Sequence, residues 1–289
     1  MSSAGKVRTG IAGWVFAPWR GEFYPAGLTQ KQELAYASTQ LAAIEINATF
    51  RALQKPASFR NWASQTPEGF VFSIKGPQLI THIKRLKEVE TPLANFLASG
   101  PLALGAKLGP FVWQLPPNLS YEAERMEAFL TLLPKTPGDA AALADWHEDW
   151  MKEAATSIEG ITAIRHAIEV RHDSFANPDF IAQMRKHNVA LVVADTAEWP
   201  TLDVTADFVY CRLQGAPGSE RYDEADLDRW ASRIAAWSAG KSMTDGAFVG
   251  PQPEENPRDV FAVFVSTDKV HAPRNAMALA QRLGAASTG

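Results

Sequence analysis

Glu169, Arg171 and His172 stand close together at the end of a short apolar run, Ala167-Ile168-Glu169-Val170-Arg171-His172-Asp173-Ser174. Side chains alternate along a strand, so Ile168 and Val170 share one face while Glu169 and Arg171 share the other. Taking an ion out of water costs on the order of several kcal/mol even after relaxation, so charges placed at the end of an apolar strand are either paired or used. Histidine titrates near neutral pH and an enclosed glutamate can be pushed toward it, which makes His172 and Glu169 candidates for moving a proton. Arginine adds a rigid fork that matches two oxygens of a phosphate or carboxylate.

Polar groups recur at the ends of other apolar runs. Ile44-Glu45-Ile46-Asn47 offers Glu45 and Asn47, residues 70–75 end in Lys75, 111–114 end in Gln114, 189–195 end in Asp195, and 207–214 contain Arg212. Lys75, Arg171 and Arg212 suit an anionic substrate; the opposing account is that the arginines only neutralise Glu45, Glu169 and Asp195. His82, in the loop after Lys75, is a third catalytic candidate or a tie for that loop. Asn47 can orient a ligand hydroxyl or cap the next turn. Trp14 heads an aromatic loop with Phe16, Trp19, Phe23 and Tyr24 that can stack on a sugar or base, although a lid packed on neighbouring helices is the favoured reading. The expected site is therefore Glu169, His172 and His82 for catalysis, with Glu45, Asn47, Lys75, Gln114, Arg171, Asp195, Arg212 and Trp14 for substrate.

The same carboxylates and imidazoles, with His271, can also ligate a divalent metal. No dense spacing of the His-Glu-x-x-His kind is present, and a guanidinium beside the ligands opposes a cation, so metal-free chemistry is favoured and neither a metal ligand nor a cofactor is assigned. Cys211 lies within Phe208-Val209-Tyr210-Cys211 and reads as a small buried hydrophobe.

Positioning these residues requires a repeated scaffold. Eight short apolar runs alternate with helical stretches near 30–41, 58–64, 92–98, 122–133, 140–157, 178–187, 226–239 and 273–283, while 240–256 reads as a surface excursion. This alternation predicts parallel β/α units with right-handed crossovers, and eight of them predict an α/β fold, a single (β/α)8 TIM-like barrel over residues 1–289. Its active site would lie at the carboxyl ends of the strands. An open doubly wound sheet has the same alternation. The 289 residues are 46% hydrophobic with a formal charge of −4, which argues against a general nucleic-acid or membrane-surface binder. No signal peptide or membrane span is evident, so a cytoplasmic protein is expected.

Several stretches together resemble the DUF72 family, the YecE-like or TM1631-like group of barrels. They are Gly13-Trp14 with Trp19, Gly21, Phe23, Tyr24 and Pro25; Glu45-Ile46-Asn47 with Thr49-Phe50; residues 70–75 followed by Thr81-His82; Gln114-Leu115-Pro116-Pro117; Glu169 with Arg171, His172 and Ser174; and Arg212-Leu213 with Gly215. The resemblance implies a TIM-type barrel and no established reaction. Departures from the family pattern fall at Arg51, Gln214, Val265 and Ser266, and 240–256 is longer than the usual connection. The preferred expectation is an enzyme acting on a small phosphorylated or carboxylated molecule, with sugar-like compounds among the candidates. The alternatives are a metal-assisted phosphoesterase acting on nucleic acid and a non-catalytic ligand-binding barrel.

Overall fold

The computed structural model describes residues 4–196, 199, 201–215, 222–265 and 269–284. In chain order the elements are β1 (Val7–Ala12), α1 (Glu33–Gln40), β2 (Ala43–Ile46), α2 (Ala48–Arg51), α3 (Pro56–Ser64), β3 (Val71–Lys75), α4 (Glu90–Ala98), β4 (Leu108–Gln114), α5 (Ala123–Leu132), α6 (Pro137–Ala144), β5 (His166–Glu169), α7 (Pro178–Lys186), β6 (Ala190–Leu191), β7 (Val193–Ala194), β8 (Phe208–Leu213), α8 (Glu224–Ser238), β9 (Asp259–Phe264) and α9 (Ala272–Arg282). Strands and helices alternate from β1 to β6 as expected for an α/β protein, whereas β6, β7 and β8 follow one another with no helix between them among the described residues. The chain divides into two compact units, residues 1–44 with 176–289, and residues 45–175.

In the first unit β1, β9, β8 and β7 lie side by side in that order and run parallel. Val7 to Ile11 pair with Val260 to Phe264, and Phe208 to Leu213 pair with Asp259 to Phe264. These strands are buried on both faces, which explains their nearly continuous apolar sequences. Gly10 is required where β1 passes Ala43: a Cβ there would lie 2.0 Å from the Ala43 carbonyl oxygen. The stripe Leu227, Trp230, Ile234 and Trp237 buries one face of α8, and Asp223 caps its first turn by accepting from Asp226 N at 2.7 Å.

The single strand expected over 189–195 is instead β6 and β7, separated by Val192. Thr205 explains the break, because its Oγ1 accepts from Leu191 N and donates to Val189 O, both at 2.7 Å, replacing ladder bonds. The excursion 240–256 is anchored: buried Asp203 accepts from Val249 N at 2.9 Å and Gly250 N at 2.8 Å.

In the second unit β3, β4 and β5 are parallel neighbours, with Phe111 to Gln114 opposite His166 to Glu169. The β3–β4 register slips between Phe72 and Ile74, beside Gly109, where a Cβ would meet Val71 Cγ1 at 2.5 Å. Trp113 is the centre of an aromatic core formed with Phe96, Phe111 and Phe129. His166 belongs to this core, accepting from Trp113 Nε1 at 3.1 Å and donating from Nε2 to Pro134 O at 2.8 Å; burial pushes its pKa down to about 3.

The helix expected over 140–157 stops at Ala144. Asn95 of α4 captures the next segment, donating to Glu148 Oε2 at 2.7 Å and accepting from Glu148 N at 2.9 Å. Those tertiary bonds draw the chain out of helical register despite its helix-favouring composition.

Candidate functional site

The 45–175 unit gathers most of the expected site residues. Glu169 closes β5 opposite Gln114, the last residue of β4, so the parallel register sets the two side chains side by side. Gln114 Nε2 donates to both carboxylate oxygens at 3.1 Å, while Arg171 Nε and Nη2 both donate to Oε1, at 2.9 and 2.8 Å. Glu169 is buried, whereas the Arg171 side chain is 40% exposed. The alternation read from the sequence put the two side chains on one side, and they do meet, although β5 ends at Glu169 and Arg171 lies two residues beyond it. The carboxylate orients the guanidinium, whose remaining face stays open to solvent.

Lys75 ends β3 and its backbone carbonyl accepts from buried Thr49 Oγ1 at 2.6 Å. Its Nζ stands 4.2 Å from the centroid of the Phe50 ring, and the His82 ring meets the same phenyl edge-on with centroids 5.1 Å apart. His82 Nδ1 is 2.8 Å from Thr81 Oγ1. Burial lowers the His82 pKa, and the positive charges of Lys75 and Arg171 lower it further. Lys75 and Arg171 thus act electrostatically on the same imidazole, and Phe50 is the surface on which Lys75 and His82 meet. Phe50 had no assigned role in the sequence reading; its place directly after Thr49, in a stretch that carries the family resemblance, was the available signal.

His172 is committed differently. Its Nδ1 accepts from Ser174 N at 3.2 Å and lies 2.8 Å from Ser174 Oγ, which itself accepts from Tyr121 N at 2.7 Å. This network assigns the ring proton to Nε2 and fixes the turn after β5. Glu45 is fully buried on β2. Asn47 precedes α2 at the N-cap position but makes no side-chain cap, and its Oδ1 is buried without a hydrogen-bond partner. An acceptor left so is costly unless a ligand or water donates to it.

Trp14, Asp195 and Arg212 lie in the other unit. The Trp14 carbonyl accepts from Tyr24 Oη at 2.5 Å. Trp19, Phe23 and Tyr24 are buried against one another and against Tyr36 of α1, and Trp19 Nε1 donates to Lys269 O at 2.6 Å. The aromatic loop is thus packed, with Trp14 and Phe16 half-buried at its start.

Asp195 accepts from Gln214 N at 2.6 Å, from Gly215 N at 3.2 Å and from Tyr222 Oη. Burial raises the Asp195 pKa, against the opposing effect of those donors. Its carboxylate ties down the turn after β8, where Gly215 has φ +80°. Tyr222 was not foreseen, because it is 27 residues from Asp195 in the chain. Gly13 likewise serves by its conformation, φ +74°, with nothing near where a Cβ would stand. Arg212 is buried within β8, with its backbone opposite Val263. Cys211 is wholly buried, and burial raises its pKa. Ser266 lies outside the described residues.

Among the described residues, no group of three or more His, Cys, Asp or Glu side chains is placed to hold a metal ion. Nor is any helix among them long and apolar enough to cross a membrane.

Comparison with known proteins places these features in a family. The chain is 28% identical over 134 residues to the UPF0759 protein YecE of Escherichia coli, a match covering 46% of this chain and 45% of that protein, so it spans about half the length of that relative. Among solved structures, a DUF72 family protein of Thermotoga maritima, TM1631, superposes with a TM-score of 0.70 at 21% identity, covering 96% of this chain and 99% of the other. One from Enterococcus faecalis, EF0366, gives a TM-score of 0.65 at 16% identity, over 98% and 99%. These likenesses show the fold, an α/β TIM-like barrel. The family model "Protein of unknown function DUF72" matches residues 8–289, and the chain therefore belongs to the DUF72 family.

Proposed function

We propose that this chain is an enzyme that binds a small anionic substrate, phosphorylated or carboxylated, at the carboxyl ends of β3 and β5. The observation that carries the reading is the convergence of Lys75, His82 and Arg171, with Arg171 held in orientation by Glu169. Lys75 and Arg171 both depress the neighbouring imidazole, and a phosphate or carboxylate that reached Lys75 and the exposed side of Arg171 would offset that effect. Asn47 adds an acceptor suited to a substrate hydroxyl. In this reading His82, kept neutral by its surroundings, accepts a proton, while Glu169 positions Arg171.

The commitment of Glu169 to Gln114 and Arg171 favours a second reading, a ligand-binding barrel without turnover. Titration calorimetry with inorganic phosphate and a panel of small phosphate monoesters and carboxylates tests the first claim. Binding that weakens at least tenfold in Lys75→Ala and Arg171→Ala, with the His82 ring resonances shifting on titration, is the expected result. Absence of binding across the panel would remove the anion site. Turnover of a bound compound, lost in His82→Gln, separates the enzyme from the binding protein.

A further inference from the structure

Beside the cationic group, within the same 45–175 unit, lies a groove of about 510 Å³, a volume typical of small-ligand sites. Phe50 belongs to both places: the ring that packs against Lys75 and His82 also lines this groove. Beyond it the walls are Leu53, Leu79, Ile83 and Trp150. Leu79, Ile83 and Trp150 are 43%, 65% and 59% exposed, and they are three of the five large apolar side chains exposed among the described residues. Scattered apolar side chains are ordinary on a surface; a cluster lining one concavity is not.

The cluster is held in place. Trp150 Nε1 donates to Glu148 Oε2 at 3.0 Å, and the same oxygen accepts from Asn95 Nδ2 at 2.7 Å, which fixes the indole as a wall. Leu79 and Ile83 begin and end a π-helical turn. Arg85, Leu86 and Glu88 follow with φ of 52°, 67° and 51°. A left-handed conformation costs a non-glycine residue about 1–2 kcal/mol, and such backbone persists where the surrounding structure requires it. The charges on the groove are Arg51 and Lys84 against Glu88 and Glu148, of which Glu148 is already engaged by Trp150 and Asn95.

A polar sugar phosphate bound at the cationic group would leave Leu79 and Ile83 in water. A wholly apolar molecule would gain nothing from Lys75, Arg51 or Lys84. We infer that the groove receives the aliphatic tail of an amphiphilic anion whose phosphate or carboxylate head lies at Lys75, His82 and Arg171, with Phe50 at the junction of head and tail. This inference rests on the anion-binding reading above and narrows its substrate from small anions in general to those carrying an apolar chain.

Calorimetric titration of the full chain with inorganic phosphate, methyl phosphate, butyl phosphate and octyl phosphate, below micellar concentrations, tests it. Affinity is expected to rise roughly threefold to fourfold per buried methylene, to lose that gradient in Ile83→Asp, and to fall for every member of the series in Lys75→Ala. Ile83 is largely exposed, so its replacement does not threaten the core. Tryptophan emission should shift with octyl phosphate and not with methyl phosphate, and the shift should be absent in Trp150→Phe. Equal affinity across the series, with phosphate still bound, would overturn the tail site and leave the head site standing. A gradient that survives both Ile83→Asp and Leu79→Asp would place the tail elsewhere and also overturn it. Failure of every member to bind would remove the anion-binding reading itself.

Discussion

Arg171 turns back onto Glu169, giving both its Nε and its Nη2 to the same carboxylate oxygen, so that a buried anion holds a half-exposed guanidinium in one orientation. The pair is asymmetric. Losing the arginine takes two charge-assisted donors from a buried carboxylate that keeps Gln114, whereas losing the carboxylate frees a cation that water can reach.

Arg171→Ala should therefore destabilise the protein more than Glu169→Gln does. The expected cost is about 1–2 kcal/mol, below the range for fully buried pairs because Arg171 is screened by solvent. Urea unfolding of both single variants and the double variant measures it, and a double-mutant coupling near zero would show that the contact contributes nothing.

Anion affinity should depend on pH through His82. Burial, Lys75 and Arg171 hold its pKa below the ordinary histidine value, so the ring is neutral near pH 7 and gains charge only on acidification. Sulfate, which stays a dianion throughout, should bind several-fold more tightly at pH 5 than at pH 8 in the wild type. His82→Gln should flatten that dependence.

Stability should also fall in acid because of His166. Its pKa is about 3 in the folded state, against about 6.5 when unfolded. The unfolded chain thus binds the proton first, and the contribution of the neutral ring is lost as pH drops from 6.5 toward 3, by up to about 1.4 kcal/mol per unit. Asp195, with a raised pKa, acts in the opposite sense, losing stability as pH rises from the unfolded value through the folded one. Unfolding curves between pH 7 and 4 should show a shallower slope in His166→Gln than in the wild type.

Asp195→Asn turns an amide toward donors from Gln214, Gly215 and Tyr222, and should cost about 1–3 kcal/mol. Tyr222→Phe removes one donor and should cost less. Phosphate affinity measured alongside distinguishes a turn anchor, which leaves it intact, from a ligand contact, which does not.

Gly10→Ala should destabilise by about 3 kcal/mol or more, because its methyl group would meet the Ala43 carbonyl. Gly13→Ala should cost only about 1 kcal/mol, since space is open and only the φ of +74° opposes it. Reversal of that order in thermal midpoints would contradict the account of β1.

The chain itself determined the alternation of strands and helices, the buried runs of β3, β4, β8 and β9, and the shared side of Glu169 and Arg171, because these follow from period-two and helical patterns local to a few residues. It also placed Gln114 and Lys75 at strand ends. Tertiary structure decided what no local pattern contains. Thr205 divides the 189–195 run, Asn95 ends α6 by capturing Glu148, and Tyr222 claims Asp195 across 27 residues. It also decided that Phe50 joins a cationic group to an apolar groove. In each case the energy comes from contacts distant in the chain, whose partners only the packed fold selects, whereas hydrophobic periodicity encodes which face turns inward and not what waits there.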